Sequence, residues 1–306
     1  MKTAIIGAGN VGATCAMRLL EAGLCDVVLL DVVESIAKGK AEDLMDAASL
    51  IGHDRTILGT SNYADIAGSD IVIIAAGFAR KPGMDREELL NKNASVVRDV
   101  AKQVVSHTKK PIIIVVTNPL DVMAYLVFRE SGLSRKRVFG MAGVLDSSRM
   151  NLMAARTIKK PLKTIQTLVL GTHGETMVPV VSQSKIGNND ISDSTTEENL
   201  AEILKRTKSR GAEIVSYFGT GSAFYAPSAG VLKMVKAIIE NTNEILPCSC
   251  FLQGEYGIKD VYLGVPAVIG SGGVDKIVEL SLTEDEAKQL KAAAESVRAQ
   301  ISTLTL

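Results

Sequence analysis

The sequence predicts an α/β chain, with a doubly wound parallel sheet in its N-terminal half and a smaller α+β domain after it. Three observations point there. Short runs that are apolar at every position alternate with helix-period segments through the first half. A glycine pattern sits where the first apolar run meets the first helical segment. Beyond Gly143 the alternation loosens into short strands, Gly-rich turns and longer helices.

The elements follow in order. Thr3 to Gly7 reads as a buried strand and Val11 to Ala22 as the helix after it. Val27 to Asp31 is a second strand, and Ile36 to Leu50 a second helix. Ile71 to Ala75 and Ile112 to Thr117 are further strands, joined by a long helix from Asp85 to about Ser106, and Arg137 to Gly140 is one more short strand. Strands without polar alternation are buried on both faces, as a parallel sheet covered by helices requires. In the second half, Asp146 to Ile158 is helical, Thr167 to Leu170 a strand, and Ser184 to Thr195 polar and loop-like. Glu198 to Arg210 and Pro227 to Ile239 read as helices; Leu246 to Phe251, Ile258 to Val265 and Lys276 to Leu280 read as short strands. The last helix opens on a capping box, Thr283-x-x-Glu286, and its stripe of Leu290, Ala294, Val297 and Ile301 is core packing. No internal repeat is present. The expected domain boundary lies near Gly143, giving units 1–142 and 143–306.

Composition excludes several classes of function. Lys+Arg and Asp+Glu each total 34 in 306 residues, so the basic excess of a nucleic-acid-binding protein is missing. The longest apolar stretches run about nine residues, Ile71 to Ala79 among them. A membrane span needs ~18. Only Lys2 precedes the first apolar residues, and glycines interrupt them at Gly7, which argues against a secretory leader. Cys15, Cys25, Cys248 and Cys250 are too few and too irregular for a disulfide framework, and Cys248-Ser-Cys250 lacks a second pair to complete a metal site. The expectation is a cytoplasmic protein without a metal.

Gly7-Ala-Gly9-Asn-Val-Gly12 is a G-x-G-x-x-G pattern. By itself it is an ordinary strand–helix turn. Here it follows an apolar strand, opens a helix, and is followed by an acidic residue, Asp31, at the end of the next strand. Gly7 permits the tight turn, Gly9 lets the backbone approach a pyrophosphate, and Gly12 lets the helix pack on the strand. The helix N-terminus offers free N–H groups and a positive dipole to the phosphates. Asp31 can accept from both ribose hydroxyls and repels a 2′-phosphate, which favours NAD over NADP. The first half is thus expected to be a Rossmann domain. Thr117-Asn118-Pro119 ends the fourth strand, at the carboxyl ends of the strands where ligands sit, although Asn-Pro is also a turn signal.

Three further segments carry charge or imidazole. Gly77 and Gly83 bracket Arg80, and Arg86 follows three residues on, so that residues of about 78–90 can move as a lid. Asp146 and Arg149 are three apart at a helix start and share a face, an arrangement that also suits a plain intrahelical ion pair. His173 stands between glycines after an apolar strand, in a turn that exposes backbone to a ligand. His53 and His107 have polar surroundings and read as surface residues.

Taken in order, GAGNVG, Asp31, ARKPGMDR, VTNPLD, GVLDSSR, GTHGE and GSAFYAP resemble the malate dehydrogenases of the lactate/malate dehydrogenase family across essentially the whole chain. Within that family the ARKPGM lid resembles the malate type that is lactate-dehydrogenase-like in sequence. The resemblance implies reversible oxidation of (S)-malate to oxaloacetate with NAD, and a homo-oligomer, dimer or tetramer. It also implies roles. His173 matches the proton donor/acceptor and Asp146 its carboxylate partner. Arg149 matches the arginine that holds the C1 carboxylate, and Arg86 the lid arginine that polarises the carbonyl. Arg80 matches the specificity position, and Asn118 the residue that hydrogen-bonds the substrate oxygen. The candidate cofactor contacts are Gly7, Gly9, Asn10, Val11, Gly12, Asp31, Ala75, Ala76, Gly77, Asn93, Val116 and Asn118. Two departures stand out: GTHGE replaces the commoner GGHGD, and Ala223 lies where lactate-type relatives usually carry Thr.

The nearest alternative is a lactate dehydrogenase, with Arg80 as discriminator. An NAD-dependent glycosidase also begins with a Rossmann unit but needs metal ligands that do not stand out here. An NAD-binding sensor without catalysis would not need His173, Asp146 and three arginines together.

Overall fold

The computed structural model describes residues 1–78 and 86–304. Arg80 and the rest of the expected lid core, residues 79–85, lie outside the described residues, as does the side chain of Arg86.

The first half alternates as its apolar runs require. Its elements are β1 (Lys2–Ile6), α1 (Asn10–Glu21), β2 (Asp26–Leu30), α2 (Glu34–Ile51), β3 (Ile57–Thr60), β4 (Ile71–Ile74), α3 (Arg86–His107), β5 (Ile112–Val115), α4 (Leu120–Ser131) and β6 (Val138–Gly140). All pairings among β1–β6 are parallel and the strand order is β3-β2-β1-β4-β5-β6. That is the order of the doubly wound dinucleotide fold. Every residue of β4 and β5 is buried, since helices cover both faces of the sheet.

Two elements here have no counterpart in the sequence reading. The strand β3 is an edge strand of four residues, with Leu58 half exposed and Gly59 beside it, so it leaves no continuous apolar run. The helix α4 is buried on most sides through Val127, so its apolar residues are not confined to one narrow stripe.

The second half supplies α5 (Gly143–Ile158), β7 (Ile165–Gln166), β8 (Val169–Gly171), β9 (Met177–Pro179), β10 (Lys185–Ile186), β11 (Asn189–Asp190), α6 (Glu197–Phe218), α7 (Tyr225–Ile239), β12 (Glu244–Gln253), β13 (Lys259–Gly270), β14 (Gly273–Ile277) and α8 (Glu284–Ser302). The segment 184–195, read as loop, contains the two-residue strands β10 and β11. The helix α6 runs on through Gly211, two turns past its expected end, and a Cβ at 211 would face the Arg149 guanidinium at 3.7 Å.

The second half does not build a separate main sheet. Ser249 of β12 pairs with Gly140 of β6, and Gly264 of β13 with Gly171 of β8. The result is one eleven-stranded sheet in which parallel pairing gives way to antiparallel pairing at β6–β12. A smaller three-stranded sheet, β11-β10-β7, covers a second apolar cluster that includes Met150, Met153, Ile165 and Ile203. The Thr283 capping box is present: its hydroxyl accepts from the Glu286 N–H at 3.2 Å, and Glu286 accepts from the Thr283 N–H at 3.0 Å. Leu290, Ala294 and Val297 of α8 are buried.

All four cysteines are free and buried, and Cys248 and Cys250 place their sulfurs 3.6 Å apart. His53 and His107 are partly exposed; His53 accepts from the Arg55 N–H at 3.2 Å, and the His107 ring centroid lies 6.1 Å from that of Tyr63. Among the described residues, no helix is long and apolar enough to cross a membrane.

Candidate active site

The glycine turn joins β1 to α1. Gly7 has φ +107°, and a Cβ there would lie 2.7 Å from the Ala76 nitrogen, so only glycine fits. A Cβ on Gly12 would collide with the Gly7 carbonyl, whereas Gly9 has nothing within 4 Å of its Cβ position. Open space at the middle glycine is what an approaching ligand needs. Gly9 caps α1 without a side-chain hydrogen bond, and the first turn carries no acidic residue. The N–H groups of Asn10, Val11 and Gly12 thus begin a helix whose positive end has no side-chain acceptor.

Asp31 closes this turn from the other side. Its Oδ2 accepts from the Ala8 N–H at 2.7 Å and its Oδ1 from the Val33 N–H at 3.0 Å. Both oxygens keep a second lone pair for ribose hydroxyls. Lys40, which sequence reasoning passed over, donates to the Ala8 carbonyl at 2.6 Å and pins the same loop. Val32 is 92% exposed, with Val33 and Ile36 exposed beside it. This apolar ledge next to Asp31 suits the flat face of an adenine ring. The open cradle, the uncapped helix and the carboxylate together fit a dinucleotide.

The ends of β4 and β5 are tied together by Asn93 of α3. Its amide accepts from the Phe78 N–H at 2.7 Å and donates to the carbonyls of Phe78 and Asn118 at 3.2 and 2.7 Å. Asn93 is buried, so these backbone bonds hold the rim in shape, while the side chain of Asn118 is left exposed. Thr117 donates to the Ala76 carbonyl at 2.7 Å, and the Val116 N–H donates to the Ile74 carbonyl at 2.9 Å. Ala75 and Ala76 are partly exposed along this rim and Gly77 is exposed.

His173 follows β8. Gly171, with φ +80°, turns the chain so that the imidazole faces α5. The His173 Nδ1 lies 2.8 Å from Asp146 Oδ2, and the other Asp146 oxygen accepts from Arg149 at 3.3 Å. The Asp146 side chain is buried, and those of His173 and Arg149 are nearly so. Burial works to lower the pKa of His173, but the Asp146 charge and hydrogen bond outweigh it and hold the imidazole above its ordinary value. Burial also lowers the pKa of Arg149, which Asp146 opposes. The Arg149 Nε is buried without a hydrogen-bond partner among the described residues. A buried donor left open on a cation is suited to an incoming carboxylate.

One further carboxylate went unnoticed in the sequence. Asp121 of α4 accepts from the His173 N–H at 3.0 Å and from the Ser249 hydroxyl at 2.6 Å. Burial pushes its pKa up to about 6.

His173, Asp146, Arg149 and Asp121 thus form one cluster of direct contacts. The glycine turn, Asp31 and Lys40 form another, and Asn93 and Asn118 stand at the rim. Arg86 begins α3, and Arg80 lies outside the described residues.

Two family models match the chain. One, described as the lactate/malate dehydrogenase NAD binding domain, matches residues 1–140. The other, described as the lactate/malate dehydrogenase alpha/beta C-terminal domain, matches residues 143–305. A curated malate dehydrogenase from Desulforudis audaxviator is 45% identical over 305 residues, 100% of this chain and 99% of that one. The solved malate dehydrogenase from Aeropyrum pernix has a TM-score of 0.96 at 39% identity, covering 99% of this chain and 98% of that one. A lactate dehydrogenase from Cryptosporidium parvum, complexed with lactic acid and nicotinamide adenine dinucleotide, has a TM-score of 0.95 at 38% identity, covering 98% and 96%.

Proposed function

The chain belongs to the lactate/malate dehydrogenase family, and from that premise we infer how its own residues share out the reaction. It is an NAD-dependent malate dehydrogenase that interconverts malate and oxaloacetate. The observation that carries the mechanism is the buried Asp146–His173 hydrogen bond with Arg149 beside it.

NAD, when bound, supplies the hydride acceptor. The turn of Gly7, Gly9, Asn10, Val11 and Gly12 would hold its pyrophosphate, and Asp31 its adenosine ribose, with charge repulsion against a 2′-phosphate. The rim of Ala75, Ala76, Gly77, Val116 and Asn118, braced by Asn93, would hold the nicotinamide end. His173 takes the malate hydroxyl proton through the ring nitrogen that Asp146 leaves free, and returns it when oxaloacetate is reduced. Asp146 fixes the tautomer and stabilises the imidazolium. Arg149 pairs with the C1 carboxylate, and Asn118 hydrogen-bonds the substrate oxygen. Arg86 places positive charge where the carbonyl oxygen becomes negative, a role worth ~3–4 kcal/mol in comparable oxyanion stabilisation. Arg80 pairs with the second carboxylate, which separates malate from lactate.

In this division, 1–142 is the NAD-binding unit, with a lid at about 78–90, and 143–306 the substrate unit. The same reading makes the enzyme a cytoplasmic homo-oligomer of the tricarboxylic acid cycle. Four free thiols suit a reducing compartment, and exposed Val215, Tyr217, Phe218 and Tyr225 on α6 and α7 suit a face covered by a second copy.

The direct test is the absorbance change of NAD with malate, lactate and no substrate. Malate-dependent reduction well above lactate supports the assignment. Turnover of lactate at an equal rate, or of neither, contradicts it.

A further inference from the structure

Two carboxylates converge on the His173 turn. Asp146 holds the ring, and Asp121 holds the backbone, its Oδ2 accepting from the His173 N–H at 3.0 Å. The other Asp121 oxygen accepts from Ser249 at 2.6 Å. Ser249 is the residue of β12 that pairs with Gly140 of β6, where the parallel and antiparallel parts of the sheet meet. Asp121 therefore links α4, the seam strand and the catalytic turn.

The charge on Asp121 needs an explanation that its hydrogen bonds do not give. The side chain is buried, and its contacts are hydrogen bonds without a cationic side chain among the described residues. An uncompensated buried carboxylate is costly. An asparagine could make both bonds, accepting from the His173 N–H through its oxygen and donating to Ser249 Oγ through its amide. What an asparagine could not supply is a second negative charge beside the imidazolium. Among the described residues, the charged groups acting on His173 are Asp146 and Arg149 from α5 and Asp121 from α4; the groups acting on Asp121 are Ser249, His173 and, at longer range, Asp146. Both carboxylates favour the protonated ring, and Arg149 opposes them.

We propose that Asp121 is a positioning residue for proton transfer, clamping the His173 backbone and setting, through its charge, the pH at which the imidazole takes its proton. This rests on the reading of His173 as the proton donor and acceptor.

The test follows the pH dependence of oxaloacetate kcat/KM in the parent, Asp121→Asn and Ser249→Ala enzymes. The imidazole C2–H titration by NMR is measured alongside. The chain has 3 histidines, so loss of one signal in His173→Asn assigns the resonance. In Asp121→Asn, both midpoints should move to lower pH by about half a unit or more. Above both midpoints, that is about a threefold loss of oxaloacetate reduction. Ser249→Ala keeps the clamp on His173 but removes one bond that favours ionised Asp121, so its shift should be smaller and in the same direction. A uniform fall in kcat with unmoved midpoints would reduce Asp121 to a structural clamp and overturn the proposal. If Asp121→Asn does not fold, an unmoved midpoint in Ser249→Ala overturns it. Full turnover by His173→Asn would instead sink the underlying reading of His173, and the NMR titration would still report whether Asp121 acts on the ring.

Discussion

Asp146 divides its two oxygens between His173, 2.8 Å away, and Arg149, 3.3 Å away. One buried carboxylate thereby orients both groups that we propose as the proton carrier and the substrate-binding cation. The preference of the imidazole for its protonated form originates here, against the pull of burial.

The first prediction is the pH profile. With His173 in its proposed role, oxaloacetate reduction needs the protonated imidazole and malate oxidation the neutral one. Because the His173 pKa is raised from 6.5, kcat/KM for oxaloacetate should fall as pH rises through a midpoint above 6.5. That for malate should fall as pH drops through the same midpoint. His173→Asn should remove both limbs and most turnover, and a midpoint at or below the ordinary histidine value would contradict the Asp146 effect.

Asp146→Asn keeps the shape but loses the charge and the control of the tautomer. A fall in kcat of about 10²- to 10⁴-fold is expected, by the logic of a carboxylate-oriented imidazole. The oxaloacetate limb should also shift to lower pH. A variant within about threefold of the parent at every pH would show that the 2.8 Å bond is structural only.

Asp121 should leave a thermodynamic signature. Its folded pKa is raised from 3.8 to about 6, so the folded chain binds this proton more tightly than the unfolded chain. The stability this confers is fully present below about pH 3.8 and lost as pH rises through about 6. A two-unit shift corresponds to ~3 kcal/mol. Denaturant melts from pH 4 to 8 should therefore show a flatter stability curve for Asp121→Asn than for the parent. Parallel curves would mean that burial does not raise the Asp121 pKa in the folded protein.

Cofactor choice tests the other end of the site. NAD should exceed NADP in kcat/KM by a wide margin, and Asp31→Asn should narrow that margin about tenfold or more by removing the charge that repels a 2′-phosphate. Equal use of both cofactors by the parent enzyme would show that Asp31 does not meet the ribose.

Much of this site was readable from sequence because its signals are local. The glycine turn, Asp31, the Asp146/Arg149 pair and the His173 turn each lie within a few residues of a strand end or helix start, which marks them as candidates, while the roles of Asp146, Arg149 and His173 came only with the family resemblance. What stayed hidden depends on distance along the chain. Asp121 meets His173 across 52 residues and Ser249 across 128, and no local pattern marks either contact. Lys40 reaches Ala8 from a helix whose exposed face looks ordinary. The continuity of the sheet rests on isolated pairings such as Ser249 with Gly140, which alternation within one segment does not reveal. The edge strand β3 and the largely buried helix α4 escaped for the opposite reason, since neither shows a clear periodicity of its class.

The most direct measurement of the central claim is the ratio of kcat/KM for oxaloacetate to that for pyruvate, in the parent and in Arg80→Gln. On the proposed role of Arg80, closure over pyruvate would leave it desolvated opposite a methyl group, and removing one partner of a buried ion pair costs ~3–5 kcal/mol. The parent should therefore favour oxaloacetate by roughly two to four decades. Arg80→Gln should collapse that ratio, whereas Arg86→Gln should depress both substrates together. A parent enzyme that reduces pyruvate as well as oxaloacetate, or an Arg80→Gln ratio within about threefold of the parent's (under 1 kcal/mol), would contradict the account.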